Sequence, residues 1–307
     1  MRYPAHMNWS AIGIDVGGTK IEAARVVDGN VERVERAATP TESVAELVEA
    51  VAQTAAAVHR PRLPIGIALA GQIDRRAGVV LSSPNLPFRR TSLAAGLGER
   101  FAVPVLVDND VRLAALGEHL AIDPPPQTLV ALYIGTGIGA GVVIGNRSLA
   151  GAHNLAAEAG HATFIPGGEA CDCGRRGCFE AYAGGRAVVR RAKARRDTAG
   201  SAADDLTDPG RVAAEAEAGD PACAAVWAEA VEAASSLAWN LVVLFDPDVF
   251  VLGGGVARSI PALGDAVADH LATQAWSGFD PPRALPARPD AAVLGAALTA
   301  WRALRNQ

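Results

Sequence analysis

The sequence predicts an α/β protein of two domains. Strand-like apolar runs alternate with stretches of helical periodicity. A strand, a glycine-rich turn and a second strand open the chain, and the same opening recurs after a proline run. The length, 307 residues, is long for a single core and suits two domains of ordinary size.

The first strand-like run is Ala11 to Asp15, followed by Val16-Gly17-Gly18-Thr19-Lys20 and a second run from Ile21 to Val27. Asp28-Gly29-Asn30 is a turn signal with a third strand after it. Thr41 to His59 carries Ala, Val and Glu at helical spacing, with Thr39-Pro40 as its start. Pro64 to Leu69 and Val103 to Val107 read as further strands. Asp123-Pro124-Pro125-Pro126 is the expected linker, because consecutive prolines interrupt a helix or an interior strand. Beyond it come strand Leu129 to Ile134, turn Gly135-Thr136-Gly137-Ile138-Gly139 and strand Ala140 to Ile144, which we read as a structural duplication. Pro221 to Leu244 reads as one long helix, Val249 to Leu252 as a strand ending in Gly253 to Gly255, and Asp290 to Arg305 as a closing helix. The basic run Arg186, Arg190, Arg191, Lys193, Arg195 and Arg196 is expected on a solvated helix face.

Composition removes several function classes. Half the residues are hydrophobic and a fifth charged, a globular balance. A formal charge of −5 argues against gripping nucleic acid through its phosphates. Met1 to Ser10 holds Arg2 and His6 but no apolar run, so no signal peptide is expected. No stretch is expected to reach the roughly 18–20 apolar residues of a membrane span, which gives a cytoplasmic protein without a membrane partner. Three of four cysteines crowd into 171–178, a distribution that suits metal binding better than a disulfide framework. Cys223 reads as a small core residue.

Three segments carry chemistry. Asp15 to Lys20 lacks Walker A spacing, yet its glycines allow backbone N–H groups to approach an anion, and Asp15 could hold magnesium through water. It also reads as a plain hairpin turn, until the second turn, 135–139, supplies a partner able to clasp a polyphosphate from the other side. Gly253 to Gly255 offers a flat surface for a nucleoside. Asn109-Asp110 at a strand's exit reads either as a helix N-cap or as the carboxylate that accepts a hydroxyl proton. His161, Cys171, Cys173 and Cys178 supply one imidazole and three thiolates, a set for a closed tetrahedral zinc site or, without metal, a buried thiol cluster. Glu158 and Glu180 flank it as acceptors for sugar hydroxyls or, for Glu180, as a helix cap. A glycosidase also uses paired carboxylates but needs neither glycine turns nor a zinc loop.

Together, Asp15 to Lys20, Pro84-Asn85-Leu86, Asn109-Asp110, Gly135 to Gly141, Gly151 through His161, Cys171 to Glu180 and Gly253 to Gly255 resemble the ROK family (repressors, open reading frames and sugar kinases) of the actin-like, hexokinase-like superfamily. The resemblance implies a two-domain actin-like ATPase (ribonuclease H-like) fold with an active-site cleft between domains. Its first domain would cover 1–121, joined by the C-terminal helix 290–307, and its second 122–289 with the zinc loop 161–178. It implies ATP-dependent phosphorylation of a hexose at the 6-hydroxyl, glucose first, with Asp110 as general base. Asn85, Asn109, Asp110, Glu158, His161 and Glu180 would bind the sugar. Asp15, Gly17, Gly18, Thr19, Lys20, Thr136 and Gly137 would surround phosphates and Mg²⁺, Gly254 and Gly255 would flank adenosine, and a structural Zn²⁺ would sit on His161, Cys171, Cys173 and Cys178. It also implies a homo-oligomer, dimer or tetramer. Another sugar (an N-acetylhexosamine, mannose, fructose or a cyclitol), polyphosphate as donor, or a silent sugar sensor are the alternatives. The family's repressor branch carries a helix-turn-helix, for which a first strand starting near residue 11 leaves no room. Three departures from the family pattern stand out: Ala70-Gly71 for Pro-Gly, Arg112 and Leu113 for Asn and a small residue, and Ala157 for Gly.

Overall fold

The computed structural model describes residues 8–274 and 280–305; the 1–7 stretch with Arg2 and His6, and the last two residues of the expected 290–307 helix, lie outside the described residues. The first half opens with β1 (Ser10–Val16), β2 (Lys20–Val27) and β3 (Asn30–Ala38), an antiparallel run joined by tight turns. Helix α1 (Val44–Val58) starts at Ser43, whose hydroxyl accepts from the Glu46 amide. After β4 (Ile65–Leu69), a small antiparallel sheet of β5 (Gln72–Asp74), β6 (Val79–Ser82) and β7 (Arg89–Thr91) leads to α2 (Leu93–Phe101), β8 (Val105–Asn109) and α3 (Asp110–Leu120). The expected strand 103–107 is shifted by two residues. Ala102 ends α2 in a left-handed conformation, and Pro104 precedes the first paired residue. Strand therefore passes into helix at Asn109–Asp110 with no loop between them.

The second half opens the same way, with β9 (Thr128–Ile134), β10 (Ile138–Ile144) and β11 (Arg147–Ser148). A 3-10 turn (Ala159–His161) and the cysteine loop precede α4 (Glu180–Ala183), α5 (Gly185–Thr198), α6 (Pro209–Glu217) and α7 (Pro221–Phe245). Then follow β12 (Val249–Gly253), α8 (Gly255–Ser259), α9 (Pro261–Thr273), β13 (Arg283–Pro286) and α10 (Ala291–Arg305).

The two five-stranded sheets run β3-β2-β1-β4-β8 and β11-β10-β9-β12-β13. Strand for strand the order is the same, a hairpin plus third strand on one side and two later strands on the other. That is the expected duplication, visible in topology rather than in residue identity. The chain divides into two compact units, Met1–Leu129 with Gly141–Ala156 and Arg288–Gln307, and Val130–Ala140 with Ala157–Ala287.

In the first unit β1 is buried almost throughout because helices cover both faces. Ile12, Ile14, Ile65 and Ile67 pack with Leu47 and Val51 of α1 and with Leu93 and Leu97 of α2. On the other face α10 lies so close that a Cβ at Gly13 or Gly66 would collide with the backbone of Val293 or Ala296. In the second unit α7 packs against α4, α5, α6 and α9. It corrects one expectation. Its 25 residues include an 18-residue window of mean hydropathy 1.3, enough by length and composition to cross a membrane. Its apolarity is that of a core helix: Cys223, Val226, Leu237 and Leu241 are buried, and Glu229 pairs with Arg191.

Candidate active site: two glycine hairpins, a carboxylate pair and a thiol cluster

In the first unit, Asp15 lies half-buried next to last in β1, beside the turn 17–19. The turn is closed by Gly17 N donating to Lys20 O (3.0 Å), and Thr39 staples it, its hydroxyl donating to Gly17 O (2.8 Å). Gly18 faces Asn85, where an added Cβ would touch the Asn85 Cβ at 3.4 Å, so the loop after β6 meets the first hairpin. Lys20 pairs with Glu22 at 3.2 Å, and Thr19 is exposed.

The Asn109-Asp110 alternatives divide between the two residues. Asn109 makes the cap, its Oδ1 accepting from Arg112 N at 3.1 Å. Asp110 becomes the first helical residue, half-buried, at the positive end of the α3 dipole. Asp15 and Asp110 lie close enough to interact. Burial, reinforced by the charge of Asp110 and opposed by Lys20, pushes the Asp15 carboxyl up to about 7. Two oxygen-donor carboxylates, one of them raised first by burial and then by the other's charge, form a set that a hard divalent cation would relieve.

The second hairpin holds no carboxylate of its own. Gly135 N donates to Gly137 O (2.9 Å), and the turn's carbonyls receive the first amides of α5, Gly185 N on Gly135 O (2.9 Å) and Arg186 N on Thr136 O (3.1 Å). Gly254 sits at φ +94, and a Cβ there would strike the backbone of Ile134. Gly135, Thr136 and Gly255 line a cavity of ≈ 930 Å³ with Val189, Pro209 and Val256, while Arg186, Arg190 and Lys193 supply its cationic wall.

The arginine run of α5 therefore differs from its expected solvated role. Periodicity placed it on a helix, but nothing in the run distinguished which residues face inward. Arg191 is buried against Glu229 and over the Tyr182 ring, and buried Arg196 bonds Asp205, Glu215 and Asp220. The signal lay in the acids at 205, 215, 220 and 229, which a reading of α5 alone passes over.

In the cysteine loop the ligand atoms of His161, Cys171, Cys173 and Cys178 lie within 4.8 Å of one another. Cys173 Sγ is 3.7 Å from Cys178 Sγ, and His161 Nδ1 is 3.7 Å from Cys171 Sγ. A tetrahedron with Zn–S bonds of about 2.3 Å has edges of roughly 3.8 Å, so the four donors fit zinc. Burial first, and then the neighbouring thiols, push Cys171 up to about 12, a crowding that a bound cation would remove. The loop's bends fall at Gly167, Gly174 and Gly177, all at positive φ, and paired carbonyls close it, with Cys171 N on Arg175 O (2.9 Å) and Gly177 N on Glu169 O (2.7 Å). Cys223 lies apart, buried in α7.

Glu180 follows the loop directly. It is the first residue of α4 but makes no cap; Oε2 accepts from Ile138 N (2.7 Å) in the second hairpin. Its Oε1 lies 4.0 Å from His161 Nδ1. Thiol cluster, hairpin and carboxylate thus form one assembly within the second unit. Glu158 is exposed at the start of the 3-10 turn and makes no cap bond.

Fold, hairpins and cluster converge on one class, the actin-like two-domain ATPases, and comparison narrows it further. The chain belongs to the ROK family, which it matches over residues 11–303. It is 36% identical to a glucokinase of Streptomyces coelicolor over 275 residues, 85% of each chain. The ROK hexokinase of Thermus thermophilus superposes with TM-score 0.80 at 34% identity, covering 97% of this chain and all of that one. A Streptomyces griseus ROK family glucokinase, solved with glucose and AMPPNP, superposes with TM-score 0.77 at 30% identity over 96% of this chain and all of that one.

Proposed function

We propose that the chain is an ATP-dependent sugar kinase that phosphorylates a hexose at its 6-hydroxyl, with glucose as first substrate. The observation that carries this is the placement of Asp110. It sits at the end of a parallel strand, where Asn109 makes the helix cap, and interacts with a second carboxylate, Asp15, beside the first glycine turn. Family relatives that are glucokinases supply the choice of sugar.

In this proposal Asp110 accepts the proton of the attacking hydroxyl from its place in the first turn of α3. Asn85, Asn109, Glu158, His161 and Glu180 bind sugar hydroxyls. The turn amides around Gly17, Gly18 and Gly137, with Thr19, Lys20 and Thr136, hold phosphate oxygens, and Gly254 and Gly255 border adenosine. Magnesium at Asp15 supplies charge neutralisation at the phosphates when bound. Zinc on His161, Cys171, Cys173 and Cys178 supplies rigidity to the loop leading into Glu180. The four cysteines are free, which suits a reducing cytoplasmic compartment. A homo-oligomer, dimer or tetramer, is the assembly proposed, and light scattering counts it.

The test is ADP release from the metal-loaded protein across a panel of glucose, mannose, fructose, N-acetylhexosamines and cyclitols, repeated with polyphosphate as donor. Turnover greatest with glucose and ATP is expected. A preference for another sugar moves the substrate but keeps the activity. Absence of turnover with every sugar and both donors would leave a sugar sensor and refute the kinase.

A further inference from the structure

Arg112 marks a departure from the family's usual residues, and the structure puts it to a use that the kinase machinery leaves unassigned. Its side chain is 3% exposed, and its partner Asp108 is 2% exposed. Arg112 Nη1 donates to Asp108 Oδ1 (2.7 Å) and to Asn154 Oδ1 (2.6 Å), and Nη2 donates to the Asn154 carbonyl (3.0 Å). Asn154 Nδ2 in turn donates to Ile73 O (2.9 Å) and to Asp108 Oδ1 (3.2 Å). That same Asp108 oxygen accepts from Asn109 N at 2.8 Å, and Arg75 pairs with the other at 3.0 Å. One buried knot therefore ties the end of β8, the first turn of α3, strand β5 and the loop 149–156, all within the first unit.

A buried ion pair seldom stabilises more than an apolar pair of the same volume, so stability alone explains the knot poorly. Its position explains it better. Asp108 immediately precedes Asn109 and Asp110. Asn154 is held at φ +61, and Ala157 at φ +65. Only residues 155–157 separate this anchored asparagine from Glu158. The loop is closed on itself by Ala156 N donating to Ala150 O (3.1 Å). Fixing Asn154 thus anchors the end of the first unit's chain, which closes at Ala156.

We infer that Arg112 is a positioning residue for sugar recognition: with Asp108 and Asn154 it braces the strand end that delivers Asn109, whose backbone N–H donates to Asp108. The inference rests on the kinase proposal. It assigns the knot to affinity for the sugar and leaves the nucleotide and the proton transfer untouched.

The test compares wild type with Asn154→Gly and Arg112→Lys. Glycine tolerates the positive φ and removes three side-chain hydrogen bonds while leaving the Arg112–Asp108 pair. Lysine keeps a charge beside Asp108 but loses the planar fork. Each variant is expected to raise the sugar KM about tenfold, the cost of about one charge-assisted hydrogen bond, with the nucleotide KM and kcat within about threefold of wild type. Lowered melting temperatures with an unchanged sugar KM, or equal shifts in the sugar and nucleotide KM, would overturn it. If wild type turns over no sugar, calorimetric Kd values for glucose replace KM, so the kinase proposal fails separately. A glucose Kd unchanged between wild type and variants, or no glucose binding by wild type, then overturns the inference as well.

Discussion

The two hairpins share one backbone plan and divide the chemistry between them. The β1–β2 turn carries a carboxylate whose charge is suppressed by burial and by a second acid at position 110. The β9–β10 turn carries no acid. Its carbonyls are taken up by α5, one of its amides is bound by Glu180, and guanidinium and ammonium groups stand around the adjacent cavity. The strand order is shared, while the charged groups around the turns differ: carboxylates beside the first, cations of α5 beside the second.

Asp110→Asn would break the first half at its strongest point. The amide keeps the size and position but cannot accept a proton, so kcat is expected to fall by roughly two to four orders of magnitude. The Kd for sugar, measured by calorimetry, should stay within a few fold. Near-normal turnover would remove Asp110 from the base role and leave the carboxylate pair without a catalytic purpose.

The second half is broken through its thiols. Elemental analysis of wild type is expected to find about one zinc per chain, and Cys173→Ser should lose it. Because Glu180 follows Cys178 by two residues and binds the second hairpin, the sugar KM should rise roughly 10- to 100-fold with the metal lost. A zinc-free preparation of full activity contradicts this.

How far these features were legible depends on whether their signal is local. Glycine turns, the strand runs and the histidine–cysteine set announce themselves within a few residues, and each was readable. The β5–β7 sheet was not, because its strands are three or four residues long and two of them, β5 and β7, are largely polar. Arg196 looked like one cation in a basic run, since its acidic partners lie 9, 19 and 24 residues away. Arg112 was visible only as an anomaly; its meaning required Asn154, 42 residues on. Glu180 reads from its place after Cys-Phe as a cap or a sugar ligand; its bond to Ile138 N depends on a contact no spacing rule contains.

A pH series separates the buried charge of the first half from everything else. The folded-state value for Asp15, about 7, lies above the ordinary 3.8. Between these values the unfolded chain has released this proton and the folded chain has kept it. Stability contributed by this group is therefore lost as pH rises from about 4 to about 7 and stays lost above. Ligand-free Asp15→Asn should melt roughly 2–6 °C above wild type at pH 8 and converge with it near pH 4. A gap that does not change with pH would mean that packing, not ionisation, sets the difference.

The smallest effect belongs to Lys193, and its smallness is itself informative. Arg186 and Arg190 share Asp172 at 3.6 and 3.0 Å, which partly neutralises that end of the cavity wall. Lys193 extends the wall toward Asp197 on the same helix. An open cationic wall acts through solvent, so each charge contributes only a few tenths to about 1 kcal/mol and is screened by salt. Lys193→Ala should accordingly raise the nucleotide KM about two- to fivefold, leave the sugar KM alone, and show a smaller difference at high ionic strength. A larger, salt-independent loss would mean that the second half, like the first, works through a desolvated charge. The division of labour between the hairpins would then have to be redrawn around two buried electrostatic sites instead of one.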